Sequence, residues 1–223
     1  MYSDDDDAWE LDPGEEFGGV DRASWDEDDW GAYFDRQDVL DAKYQELFET
    51  LRDHPDCEEL IAHEMHWSLP EDSVDPCCPL DEVEDEDALC SHHSFADDLA
   101  TIPAYSLVHE FALQVERQLT ARLRDGVDAD EDSSRAIGAA IDVSSQVASG
   151  HSIGYERDTL CGNIACCNRA LRSLAECFDG ILALRRRGVL PFGEADELLS
   201  AGRAASDAVA QRVAELRGRV WWC

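Results

Sequence analysis

The chain has 223 residues and a formal net charge of −33, and no apolar run approaches the ~20 residues that a membrane-spanning helix needs. Its first ten residues, MYSDDDDAWE, have neither the basic start nor the apolar stretch of a secretory signal. We therefore expect a cytoplasmic protein that neither crosses a membrane nor is exported.

The acidic charge is concentrated in the first half of the chain. Residues 1–100 contain 34 acidic and four basic residues, whereas residues 101–223 contain 17 acidic residues and 14 arginines. A protein adapted throughout to high salt would carry its acid evenly. The asymmetry instead favours an acidic region attached to a nearly neutral domain.

Residues 1–36 combine runs of acid with isolated aromatic residues. Dense like charge repels itself and leaves little apolar surface to bury, so this segment is predicted to be an acidic disordered arm. Acid interleaved with aromatic residues is also typical of segments that dock on a basic or apolar partner. A solubilising tail and a docking arm are both compatible with the composition.

Residues 37–98 are predicted to contain short helices and an acidic linker. Apolar residues recur at steps of three and four between Val39 and Leu51, which favours one or two short helices. From residue 68 the chain is rich in proline and acid and shows no period, as expected of a linker or an irregular loop.

Cysteine and histidine gather in this same region. The chain has nine cysteines, and an odd count in a reducing compartment argues against a disulfide framework. Thiolates and imidazoles are ligands that Zn²⁺ selects, although their spacing matches no standard zinc finger. The candidate ligands are Cys57, His63, His66, Cys77, Cys78 and Cys90, with His92 and His93 beside them. The alternatives are a structural zinc site and scattered side chains that bind no metal.

Residues 101–223 contain four amphipathic helical patterns separated by short turns. Their apolar stripes run from Tyr105 to Leu123, through Ile137, Ala140, Ile141, Ser144 and Ala148, from Leu160 to Ile181, and from Ala195 to Val220. Four such helices bury their stripes by packing against one another in alternating directions. The predicted fold is all-α: an antiparallel up-down four-helix bundle, preceded by an acidic, largely disordered or loosely helical N-terminal region.

Three strings in this half resemble the four-helix bundle family of 23S rRNA intervening-sequence proteins, whose fold the accessory proteins of diversity-generating retroelements share. The strings are IPAYSLVHEFAL, AAIDVSSQVASGHSIGYE and LCGNIACCNRALRSLAECFDGILALRRRGVL. They correspond to the opening helix, to the turn after the second helix and to the long third helix of that family. The resemblance implies a homo-oligomer, a ring of five, that acts by binding.

A second stripe on the third helix predicts a subunit interface. Cys166, Ala170, Ser173 and Cys177 follow steps of four, three and four, which return to nearly the same helix face. A helix that is apolar on two faces is expected to pack against neighbours on both faces. Cysteine on such a face acts as a small hydrophobic residue. Ordinary packing within the chain is the other interpretation of this stripe.

Five arginines near helix ends are the candidate nucleic-acid ligands: Arg185, Arg186, Arg187, Arg217 and Arg219. Arginine at a helix C-terminus also complements the helix dipole. In an oligomer the same side chains are able to array around a ring and to contact RNA phosphates or the acidic arm. Both functions remain compatible with the sequence.

No motif for catalysis or for a small-molecule substrate is present: the chain lacks a phosphate-binding glycine loop, a nucleophile elbow and a dinucleotide fingerprint. We therefore expect a non-enzymatic, oligomeric helical-bundle adaptor that associates with RNA, a ribonucleoprotein or a reverse transcriptase. In this hypothesis the acidic arm modulates binding. The alternative function is a zinc-stabilised protein-interaction module formed by residues 57–93.

Overall fold

A computed structural model of the chain describes residues 25–67, 95–124 and 131–221. Within these ranges the regular structure is entirely helical, which confirms the all-α class. The helices are α1 (Glu27–Leu51), α2 (Cys57–Glu64), α3 (Phe95–Ala100), α4 (Pro103–Arg124), α5 (Glu131–Ile153), α6 (Leu160–Arg186) and α7 (Phe192–Arg217). None of these helices combines the length and the apolar character that a bilayer crossing requires.

The chain divides into two compact units. Of the described residues, 33–67 belong to the first unit, and 25–32 together with all those from 95 onward belong to the second. Helix α1 therefore contributes its first turns to the second unit and the remainder to the first.

Helices α4 to α7, called the helical core below, are connected by a closed cycle of contacts. Helix α4 packs against α5 and α7, and α6 packs against the same two helices. The end of α5 lies against the start of α6, because a Cβ atom on Gly150 would come within 2.9 Å of Oδ1 of Asn163. The start of α5 lies against the end of α6, because a Cβ atom on Gly180 would lie 2.9 Å from that of Ala136. Helices α5 and α6 therefore run in opposite directions.

The buried side chains of the helical core confirm three of the four predicted stripes. On α4 from Tyr105 to Leu119, and on α6 and α7, the predicted apolar residues are buried or lie at the margin of one continuous core. Ile164, Leu174 and Leu198 are among the largest side chains that are completely enclosed. Each such side chain contributes on the order of 1.5–3 kcal/mol through burial.

The stripe predicted for α5 was wrong in its rotation about the helix axis. Ile141 is exposed, and the buried face of α5 consists of Ser133, Ala136, Ala139, Ala140, Val143, Val147 and Gly150. Small side chains on this face allow α5 to approach α6 closely, as the tight contacts of Gly150 and Gly180 show. The large side chain of Ile141 directed the sequence prediction to the wrong face.

Helix α1 begins inside the segment that was predicted to be a disordered arm, so the boundary at residue 36 is corrected. Asp26 precedes the helix, and its Oδ1 accepts hydrogen bonds from the backbone N–H groups of Asp28 and Asp29 at 2.8 and 3.0 Å. Asp29 in turn accepts from the N–H of Asp26 at 3.1 Å, which completes a reciprocal cap. Acidic residues in a first helical turn also complement the helix dipole. The predictions for residues 1–24 and 68–94 lie outside the described residues.

Candidate anion-binding end of the helical core

The five candidate arginines lie at two separate places in the helical core. Arg187, after the end of α6, bonds to Asp132 in the first turn of α5 at 2.9 Å. Arg219, after the end of α7, donates to the backbone oxygen of Tyr155 in the turn between α5 and α6 at 3.3 Å. Because α5 runs between these two contacts, the five arginines do not form one patch within the described chain.

The three arginines at the end of α6 contact their own chain. Cζ of Arg185 lies 5.3 Å from the ring centroid of Phe192, and Nε of Arg186 donates to the backbone oxygen of Leu182 at 3.2 Å. Arg187 forms the ion pair with Asp132 described above. Contacts of this kind satisfy and neutralise the C-terminal end of a helix.

Arg217 at the end of α7 is bound by an acidic residue from the start of α1. Its Nε donates to Oε1 of Glu27 at 2.8 Å, and its Nη2 donates to Oε2 of the same carboxylate. These hydrogen bonds raise the pKa of the Arg217 guanidinium. Nδ2 of Asn168 on α6 donates to Glu27 as well, at 3.2 Å. The acidic N-terminal region thus reaches one of the predicted nucleic-acid ligands.

A tryptophan one turn further along α1 fixes this attachment. Trp30 is only 5% exposed, and Trp25 packs edge-on against it with ring centroids 5.1 Å apart. A Cβ atom on Gly162 would lie 2.8 Å from the Trp30 ring, so the indole rests directly on the backbone of α6. Only glycine leaves room for this contact.

The end of α7, where Arg217 and Arg219 lie, contains a cluster of polar residues that the sequence did not reveal. We call His151, Tyr155, Cys167, Arg212 and Arg219 the Tyr155 cluster. Nη2 of Arg212 donates to the Tyr155 hydroxyl at 2.7 Å, and that hydroxyl lies 2.6 Å from Nδ1 of His151. Guanidinium only donates, so the Tyr155 hydroxyl accepts from Arg212, and the direction of its hydrogen bond to Nδ1 of His151 is set by the tautomer of that ring. The Cζ atoms of Arg212 and Arg219 lie 5.7 and 5.2 Å from the Tyr155 ring centroid.

Cys167 and Asn163 connect this cluster to the interior of the core. Burial raises the pKa of the Cys167 thiol, and the charge and hydrogen bond of Arg212 oppose that rise. Asn163 is completely buried, and its Nδ2 donates to the backbone oxygen of Gly154 at 3.0 Å. Gly154 has a φ of +116°, a conformation that favours glycine. Asn163 therefore fixes the turn that carries Tyr155.

The arginines of the cluster have no counter-charge among the described residues. Neither Arg212 nor Arg219 forms an ion pair there, although the chain contains 51 acidic residues. Nε of Arg212 is buried and has no hydrogen-bond acceptor in the part of the chain that the structure describes. A buried donor without an acceptor costs about 1–3 kcal/mol, and a guanidinium away from water is unfavourable unless it is paired.

The residues of the predicted oligomer interface on α6 are largely buried within the chain itself. Cys166, Ala170 and Cys177 are buried within a single chain, and Ser173 is partly buried. Burial raises the pKa of both Cys166 and Cys177 to about 12. The second apolar side of α6 is covered by the chain itself, since a Cβ atom on Gly150 of α5 would lie 3.1 Å from that of Cys166. Packing within the chain, the other interpretation of this stripe, accounts for this burial, and the oligomer interface stays a prediction.

The predicted zinc ligands are only partly within the described residues. Cys57 is half-buried, His63 lies 3.7 Å from Glu64, and His66 has a left-handed φ of 55°. Residues 25–67, 95–124 and 131–221 contain no group of three or more potential ligands arranged to hold a metal. Cys77, Cys78 and Cys90 lie outside those ranges, so the zinc site stays a prediction.

Comparisons of this chain with models of protein families, with curated proteins and with solved structures find no match. The resemblance to the rRNA intervening-sequence proteins therefore stays a prediction, and the site is interpreted from its own chemistry.

Proposed function

We propose that the protein is a non-enzymatic adaptor in which α4 to α7 form an antiparallel up-and-down four-helix bundle that binds RNA at the end bearing Arg217 and Arg219. The observation that carries this proposal is the two-point attachment of Glu27 to Arg217. A guanidinium fork pairs with carboxylate and with phosphate in the same geometry. An arginine that already holds a carboxylate in this way is suited to hold a phosphate of RNA.

Aromatic rings beside the arginines favour single-stranded RNA among polyanions. Trp221 is 80% exposed, and Cζ of Arg157 lies 5.9 Å from its ring centroid. Proteins that bind single strands combine contacts to phosphates with rings on which bases stack. The exposed indole supplies the stacking surface, and the arginines supply the positive charge.

The acidic start of α1 modulates this binding in the proposed function. Glu27 occupies Arg217, and RNA must displace it or bind beside it. The carboxylates of Asp26, Asp28 and Asp29 add negative charge at the same end and oppose the approach of a polyanion. Release of the first turn of α1 would therefore increase the affinity for RNA.

Titration of a labelled single-stranded RNA across salt concentrations tests the proposal. Glu27→Gln is expected to bind more tightly than the unmodified chain, because the carboxylate no longer competes for Arg217. Arg217→Gln is expected to bind more weakly, with a salt dependence reduced by about one phosphate contact. Arg203→Gln is the matched control, since it removes an exposed arginine from the middle of the same helix. Failure of every form to bind RNA would refute the function.

The adaptor is further proposed to act as a homo-oligomer, which the family resemblance implies. In the described structure Leu113 of α4 and Ile141 of α5 are 42% and 48% exposed, and contact with a second copy would remove this apolar surface from water. Leu113→Asp and Ile141→Asp are expected to reduce the molar mass measured by light scattering. A monomeric mass for the unmodified chain would rule out the oligomer.

A further inference from the structure

We propose that the Tyr155 cluster is a binding site for a single phosphate group. The proposal goes beyond RNA association, because the site would recognise the charge and the oxygen atoms of the phosphate group itself, whichever molecule carries that group. It starts from the uncompensated charge of Arg212 and Arg219, whose guanidinium groups both lie on the ring of Tyr155.

The charge of the site identifies the ligand as an anion. Two guanidinium groups that share one aromatic ring repel each other, and the ring only partly offsets their charge. No acidic residue of the described chain pairs with either of them, whereas Arg122, Arg135, Arg187 and Arg217 each contact a carboxylate. A phosphate, with close to two negative charges at neutral pH, would neutralise both arginines.

The hydrogen-bonding groups of the site identify the anion as one with several acceptor oxygens. The guanidinium groups of Arg212 and Arg219 only donate hydrogen bonds, so the group that they bind must supply acceptors, and the buried Nε of Arg212 has no acceptor in the described structure. Guanidinium donates two parallel hydrogen bonds to phosphate oxygens. Arg219 is exposed and reaches the same ring from beyond the end of α7, so it is placed to cover a bound group.

The site is held in place before any ligand binds. The Tyr155 hydroxyl and the Cys167 thiol both contact Arg212, and Asn163 fixes the turn on which Tyr155 lies. A guanidinium that is already positioned loses little conformational entropy on binding, which favours affinity. Arg212 differs in this respect from a surface arginine, whose side chain is free to leave.

Inorganic phosphate is the first probe of the site. In the full chain, addition of phosphate at constant ionic strength is expected to raise the midpoint of thermal unfolding, and calorimetric titration is expected to show one site per chain. Arg219→Gln, at an exposed position that tolerates substitution, should weaken binding at least tenfold, as should Arg212→Gln. Arg203→Gln should bind like the unmodified chain. Tyr155→Phe keeps the ring and removes the hydroxyl, so it gives an intermediate affinity even where Arg212→Gln fails to fold.

The absence of a phosphate effect on the unmodified chain would overturn the proposal. Equal binding by the unmodified chain, Arg212→Gln and Arg219→Gln would overturn it as well, because the phosphate would then bind elsewhere.

A second pair of probes distinguishes the source of the phosphate group. RNA strands of one sequence, with a 5′-phosphate or a 5′-hydroxyl, are compared on the full chain. A tenfold preference for the phosphorylated strand, removed by inorganic phosphate and by Arg219→Gln, would assign the site to RNA ends. Binding of inorganic phosphate without that preference would assign it to free phosphate or a small phosphorylated molecule. RNA binding by an unmodified chain that shows no effect of inorganic phosphate would leave the adaptor function intact and refute the phosphate site.

Discussion

Helices α1 and α6 have similar lengths, 25 and 27 residues, but they belong to regions of very different character. Helix α6 buries fourteen of its residues, whereas α1 buries Trp30 alone. Beyond its first turns α1 does have an apolar face, formed by Tyr33, Leu40, Tyr44, Leu47 and Leu51 at helical spacing, but each of these side chains is only partly buried. An amphipathic pattern therefore suffices to form a helix, but a core forms only where other helices cover its apolar face.

The aromatic residues of the first unit show the same difference on a smaller scale. Phe48 and Trp67 are 45% and 52% exposed, and both stack on Tyr44 with ring centroids 6.1 and 5.7 Å apart. In the helical core, by contrast, Phe111 meets Phe178 edge-on and is itself completely buried. The aromatic rings of the first unit stack on one another while they stay partly exposed, whereas those of the helical core are packed between helices.

The reactivity of cysteine thiols should give the largest contrast between the two regions. The pKa of Cys166 and Cys177 is about 12, so neither thiol ionises at pH 8, and both react only when the core opens. We expect alkylation at these positions to be slower than at the half-buried Cys57 by on the order of a thousandfold or more. Mass spectrometry of the native protein measures the difference. Comparable rates at Cys57 and Cys177 would show that the core is loosely packed.

The same pKa values give a pH dependence of stability. In the unfolded chain these thiols ionise near pH 9, whereas in the core they stay protonated until about pH 12. Their contribution to the free energy of unfolding is therefore complete below pH 9 and is lost as the pH rises from 9 towards 12. Cys177→Ala is expected to reduce this alkaline loss, as measured by denaturant titrations at pH 8 and pH 10.

Truncation of one apolar side chain in each region should give the next largest contrast. Leu174→Ala leaves a cavity in the helical core and is expected to lower the free energy of unfolding by about 2–5 kcal/mol. Phe48→Ala removes a side chain that is 45% exposed and stacks on Tyr44, so a loss of about 1 kcal/mol or less is expected. Denaturant titration of both variants provides the measurement. Equal losses would contradict the assignment of the core to α4 to α7.

Glycine substitutions test how closely the core helices approach one another. A Cβ atom on Gly202 would lie 2.3 Å from the Phe178 ring and 3.0 Å from that of Phe111, so Gly202→Ala should destabilise the protein by about 1–3 kcal/mol. Gly138 on α5 is exposed and has open space around it, so Gly138→Ala should stabilise by up to about 1 kcal/mol. Thermal unfolding of the two variants should therefore shift in opposite directions. A Gly202→Ala variant as stable as the parent would mean that the helices lie further apart.

The smallest effect is expected for the ion pair that connects α1 to the core. Glu27→Gln replaces a half-exposed pair, which is worth less than about 1 kcal/mol and is screened by salt. The difference in the free energy of unfolding between Glu27→Gln and the unmodified chain should become smaller as the salt concentration is raised. A loss of several kcal/mol would mean that Glu27 is a structural requirement of the core and not an exchangeable contact.

The sequence predicted the core helices wherever large apolar residues define the contact face. The heptad spacing of Ile164, Leu171 and Leu174 locates the buried face of α6, because large apolar side chains give a strong hydrophobic signal. On α5 the buried face consists of small residues, which carry a weak hydrophobic signal. Close packing between backbones is therefore the part of the fold that periodicity misses.

The start of α1 and the Tyr155 cluster were missed for different reasons. Asp26 and Asp29 do carry a local signal, the spacing of a reciprocal helix cap, but the density of acid around them obscured it. Tyr155, Cys167 and Arg212 are far apart in sequence and meet only when the core has formed. No spacing rule applies to such residues, although the position of Arg212 beside the buried Val213 was a signal that it lies at the edge of the core.

Native-state hydrogen exchange tests most directly whether the helical core is the cooperative unit and whether only the first turns of α1 belong to it. We predict that amides of α4 to α7, together with those near Trp30, exchange through global unfolding, and that amides of α1 from residue 33 onward exchange much faster. Uniform protection along α1, equal to that of α6, would contradict this account.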